Sequence, residues 1–132
     1  TLKASFSPSE SETSLSQLKT EIKFPGQFLE MPAEEIVNTS SSGFDTIGRV
    51  DFPVIANQTG SIIIILHHTF QGNPAPVASG EMTVATFTLT PKQSSPTPLS
   101  LEINLENSLV ETIQYEKIKI TAAPAKITIA QY

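Results

Sequence analysis

The chain has 132 residues and a formal charge of −5, from eight Lys and Arg against thirteen Asp and Glu. That length favours one domain with its own core, and the scattered basic residues argue against a nucleic-acid surface or adsorption to an anionic membrane. The absence of Cys excludes disulfides, thiolate nucleophiles and cysteine-ligated metal sites.

In chain order, Leu2, Ala4 and Phe6 share one parity before Ser7-Pro8-Ser9, which predicts a short opening strand and a turn. The polar stretch through Ser14 reads as surface. Leu18, Thr20, Ile22 and Phe24 then alternate with Lys19, Glu21 and Lys23, giving a strand with one packed and one wet face that Pro25-Gly26 closes. Phe28 to Val37 fits either a helical turn after Pro32 or a short strand at Ile36-Val37. Phe44, Thr46, Gly48, Val50 and Phe52 oppose Asp45, Ile47, Arg49 and Asp51 in a further strand.

Ser61 to Phe70 carries the clearest strand pattern, bounded by Thr59-Gly60 and Gln71-Gly72-Asn73-Pro74. Its even positions hold Ile62, Ile64, Leu66 and Phe70, and its odd positions add Ile63 and Ile65. A strand apolar on both sides sits centrally, or turns one side to another protein. The run from Ile62 to Leu66 is far too short to span a membrane.

Met82, Val84, Phe87 and Leu89 form the next strand, with a parity change near Ala85 that predicts a bulge. Leu99, Leu101, Ile103 and Leu105 alternate cleanly. Tyr115, Ile118 and Ile120 suggest a short element, and Ile127 and Ile129 a closing strand after Ala123-Pro124. No helical period competes over comparable lengths. About seven to nine strands without intervening helices predict an all-β, two-sheet antiparallel sandwich, residues 1–132 forming a single domain. The start at Thr1 reads as a processed or excised piece of a larger protein.

Several segments together resemble cohesin-like domains. Leu15 to Glu35 resembles their extended strand, proline-glycine turn and short following strand, and Gly60-Ser61-Ile62-Ile63-Ile64 their glycine-led central strand. Gly80-Glu81-Met82-Thr83-Val84-Ala85-Thr86-Phe87 resembles the small-residue turn and the strand packing alanine and phenylalanine inside, and Ala125-Lys126-Ile127-Thr128-Ile129 the closing strand. The resemblance implies a nine-stranded jelly-roll sandwich. It also implies a secreted or cell-surface module that receives dockerin modules or neighbouring domains. The segment before Leu18 is short for both of the family's opening strands.

Chemical constellations are sparse. His67 and His68 are the only histidines; as strand neighbours they face opposite ways, which predicts one buried and one exposed imidazole and no shared metal site. Ser, His and Asp occur without a nucleophile elbow, and Glu30, Glu34, Glu35, Asp45 and Asp51 select no cleft for glycoside chemistry. No enzyme activity, nucleotide site or cofactor is expected. Calcium lacks a local motif, although Asp45 and Asp51 are available to a nonlocal site. Asn38-Thr39-Ser40 and Asn57-Gln58-Thr59 match the glycosylation triplet.

Two binding alternatives remain. A polysaccharide would need an aromatic platform; Trp is absent, the phenylalanines Phe24, Phe28, Phe44, Phe52, Phe70 and Phe87 fit the core, and Tyr115 and Tyr132 are the surface candidates. A protein partner would use the odd-numbered face of Ile47, Arg49, Ile63, Ile65 and His67, which resembles the sheet face that cohesins use. In this reading the aliphatics exclude water and Arg49 fixes orientation. The competing reading places Ile47, Ile63 and Ile65 in the sandwich core, leaving a spacer domain.

Overall fold

The computed structural model describes residues 1–6, 13–69, 74–94, 98–122 and 125–127. Twelve strand segments and one short helix are present among them. The expected turn at Ser7-Pro8-Ser9, and the positions Phe70, Ile129 and Tyr132, lie outside the described residues.

The longest strand is β2 (Thr13–Lys23), with β1 (Leu2–Ser5) before it. β2 starts well ahead of Leu18, at Thr13, so it takes in the end of the polar stretch read as surface, where Thr13 and Ser14 are half-buried, and then Leu15, a fully buried core side chain. Parity alone would put Leu15 and Leu18 on opposite faces. The ladder to β10 (Leu109–Thr112) resolves this, pairing Glu111 with Gln17 but Thr112 with Leu15. Ser16 is the extra residue of that bulge, and its Oγ donates to the Thr112 carbonyl at 2.9 Å.

β2 is bonded along both edges. One edge takes β10 and then β9 (Leu99–Ile103); the other takes β6 (Val77–Ala78) and then β5 (Ser61–His67). Outside β5 lies β4 (Thr46–Val50), and outside β10 lies β11 (Lys117–Ile118), giving the order β11-β10-β2-β5-β4. The strand over Leu109–Thr112 lies ahead of the element expected at Tyr115, Ile118 and Ile120. Tyr115 instead forms the tip of the β10–β11 hairpin at φ 63°, exposed to solvent.

β1 pairs with β7 (Glu81–Ala85) in a separate two-stranded sheet, and β12 (Ala125–Ile127) extends the large sheet by pairing with β9. The bulge expected near Ala85 falls at Val84, opposite Leu2 and Lys3, and turns both Val84 and Ala85 inward. A small ladder joins β3 (Leu29–Glu30) to β8 (Thr90–Pro91). Leu15, Leu18, Ile22, Ile62, Ile64, Leu66, Val84, Leu99 and Val110 form one continuous core. The fold is an all-β sandwich built from antiparallel sheets.

One element was not expected. Between β4 and β5 the chain makes a short helix, α1 (Pro53–Thr59), in a segment to which the alternation pattern assigns no element. Proline in the first turn presets φ, and Gly60 ends the helix at φ 69°, donating its N–H to Ala56 O at 2.8 Å. Phe52, assigned to the core from its parity, is the residue before this helix and is 75% exposed. The carboxamide of Asn57 bonds both backbone groups of Met31, so the second glycosylation triplet is tied into the fold.

The even and odd positions of β5 have different environments: Ile62, Ile64 and Leu66 are buried, whereas Ile63, Ile65 and His67 are half-buried. Ile64→Ala should therefore cost about 3 kcal/mol of folding free energy, and Ile63→Ala about 1 kcal/mol or less, by denaturant unfolding. Equal losses would contradict the assignment of the two faces.

Candidate functional site

The outer face of the β4–β5–β2–β10 sheet is the candidate site, because cross-strand partners share a face and so bring sequence-distant residues together. One row runs Leu109, Lys19, Ile65 and Arg49 across the four strands. Beside it runs Glu111, Gln17, His67 and Thr46, and on the other side Glu21 pairs with Ile63. Ile63 and Ile65 thus form an aliphatic centre between charged and polar neighbours.

Arg49, Ile63, Ile65 and His67 converge as the odd-numbered face predicts. Ile47 does not join them. The β4–β5 register shifts between Ile47 and Arg49, pairing Ile47 with the buried Leu66 and Arg49 with Ile65. Gly48 is the extra residue, so Ile47 turns to the inner side of an edge strand, where it remains 59% exposed. Simple parity carries Ile47 to the wrong face because it cannot register a bulge.

Gly48 also shapes the face. A Cβ on it would stand 2.6 Å from Nε2 of His67 and 3.1 Å from Cγ2 of Ile65, so the imidazole lies over a position that only glycine leaves open. His68 points the other way, its side chain 3% exposed and its Nδ1 3.4 Å from Asp45 Oδ2. Asp45 further accepts from Thr69 N–H and Oγ1 and from Thr46 Oγ1.

Asp51 is buried at the far end of β4. Its Oδ1 accepts from Arg49 Nε at 2.8 Å and its Oδ2 from the Ile63 N–H at 2.9 Å. The carboxylate thereby continues the β4–β5 ladder beyond the strand and fixes Arg49 against the sheet. Asp45 and Asp51, the carboxylates available to a nonlocal calcium site, stand at opposite ends of β4. Among the described residues no group of three or more His, Asp and Glu is placed to hold a metal ion.

The β2 residues Gln17, Lys19 and Glu21, with Leu109 and Glu111 of β10, belong to the face but were not singled out from the sequence. The alternation of Lys19, Glu21 and Lys23 marks them as one wet face; their partners depend on strand order. Tyr115, the carbohydrate candidate, lies instead at the β10–β11 hairpin tip.

Glu21 is anchored from a loop. Asn104 Nδ2 donates to Glu21 Oε1 at 2.6 Å, and this bond is the main cause holding the carboxyl below its ordinary 4.5. Desolvation opposes the shift, while hydrogen bonds from Ser61 and Asn107 and the charge of Lys23 add to it. A lowered folded-state pKa stabilises the fold above the unfolded value and ceases to do so as pH falls through the folded value. Asn104→Ala should thus be less stable than the wild type at pH 7, with the gap narrowing below pH 4.5 in pH-dependent urea denaturation. A gap that widens in acid would contradict the anchoring role.

Gly48→Ala should preserve the fold, since the Cβ meets the free end of a side chain, but should displace the His67 imidazole. Ring NMR resonances of His67 unchanged by this substitution would refute the close packing.

No protein-family model matches the chain, and no curated protein matches it significantly. Among solved structures, the chain is similar to the cohesin CaCohA2, solved in complex with a dockerin. The alignment has 17% identity and a TM-score of 0.66, and covers 98% of this chain and 89% of that one. The chain has a cohesin-like fold.

Proposed function

We propose that the domain is a noncatalytic protein-recognition module, with the outer face of β4, β5, β2 and β10 as its receptor surface. Its partner is a dockerin-like module or a neighbouring domain of the same secreted or cell-surface protein. The observation that carries this reading is the aliphatic pair Ile63 and Ile65 on the side of the sheet away from the core. Side by side and half-buried, the two isoleucines leave apolar surface at the centre of the sheet face, which a protein partner would cover.

The surroundings suit a protein interface. Ile63 and Ile65 would exclude water at the centre, while Lys19, Glu21, Arg49 and Glu111 supply a polar rim that fixes register and disfavours indiscriminate association. The cohesin likeness adds support, since that protein was solved with a dockerin bound. The polysaccharide alternative has less: Tyr115 is the only tyrosine among the described residues, and one ring at a hairpin tip does not make a stacking platform.

The test is a binding titration against a panel of dockerin modules, with wild type and the Ile63→Asp and Ile65→Asp variants. Both side chains lie outside the core, so folding should survive. Each carboxylate would have to be desolvated within an apolar contact, and affinity should fall about a hundredfold. Undiminished binding in both folded variants would sink this face as the receptor surface.

A further inference from the structure

At one end of the outer face the sheet opens into a pocket of about 410 Å³, lined by Glu21, Lys23, Arg49, Asp51, Ser61 and Ile63 and bounded by the end of α1. By formal charge it is balanced, with two acids and two bases. Its hydrogen-bonding capacity is not balanced. Both oxygens of Asp51 are occupied, by Arg49 Nε and the Ile63 N–H, and its side chain is 6% exposed. Glu21 is held by Asn104.

The cations differ. Arg49 uses only Nε–H on Asp51; its terminal Nη groups make no hydrogen bond among the described residues, and its side chain is 48% exposed. Lys23 is exposed and has no ion-pair partner among the described residues. Asp51 is satisfied from within, and the donors the pocket has left to offer are the Nη groups of Arg49 and the Lys23 ammonium. A guanidinium already oriented through Nε suits a planar acceptor that takes two parallel bonds.

We infer that this pocket receives an Asp or Glu carboxylate of the partner, bound by the Nη groups of Arg49 and assisted by Lys23, with Asp51 as the positioning residue. This rests on the sheet-face reading and deepens it. The pocket adjoins Ile63, so the carboxylate would sit at the margin of the apolar contact and set both register and partner choice.

The test is an NMR titration of the whole domain with the peptides acetyl-Leu-Glu-Leu-amide and acetyl-Leu-Gln-Leu-amide, and with inorganic phosphate. The Glu peptide should produce saturable shifts at Arg49 Nε–Hε and at the Ile63 amide, at a concentration about tenfold below any response to the Gln peptide. Arg49→Lys keeps the charge but loses the fork, and should weaken the Glu response about tenfold. Equal responses to Glu and Gln peptides overturn the inference, as does phosphate matching the Glu peptide, or Arg49→Lys binding as well as wild type. Failure of the sheet-face reading would show separately, as dockerin binding undiminished in both Ile63→Asp and Ile65→Asp.

Discussion

The eleven residues of β2 are hydrogen-bonded along both edges, and the placement of nearly every other strand follows from that. One strand with β5 and β6 on one side and β9 and β10 on the other ties together segments from the middle and the end of the chain. Because its inner positions carry Leu15, Leu18 and Ile22, the same strand that organises the ladder anchors the core. The bulge at Ser16 keeps both Leu15 and Leu18 on that inner side, at the cost of a buried hydroxyl that Thr112 O satisfies.

The two faces of β5 meet different surroundings. Ile62, Ile64 and Leu66 are fixed by packing, whereas Ile63, Ile65 and His67 are tuned by what lies beside them: Glu21 and Lys19 on β2, Arg49 and Gly48 on β4. Asp51 links the ladder to the outer face. Its carboxylate caps an unpaired N–H of β5 and, with its other oxygen, holds the arginine at the rim of the face. The helix α1 replaces a tight turn between β4 and β5, which leaves room for a pocket where a hairpin would have closed the sheet end.

Three bulges, at Ser16, Gly48 and Val84, account for most of the differences between alternation and architecture. Each inserts one residue and so reverses parity for the rest of its strand. The one near Ala85 announces itself because both Val84 and Ala85 are apolar in succession. Gly48 carries a weaker cue, a glycine inside a strand, and disregarding it sends Ile47 to the wrong face. The helix α1 carries local cues of its own, proline at its start and glycine after its end.

Composition and alternation by themselves determined the class of fold, the two-sided character of β5, the opposite facing of His67 and His68, and the shared face of Ile63, Ile65 and His67. These are local properties, set by a side-chain period of two and read within a single strand or between strands close in sequence. Only the tertiary structure decided that Lys19, Glu21 and Leu109 border the same patch, that Asp51 holds Arg49, and that Asn104 holds Glu21. The physical reason is that strand order and register are set by long-range hydrogen bonding and by packing the whole core at once, so which residues meet across a sheet is not encoded in any one strand.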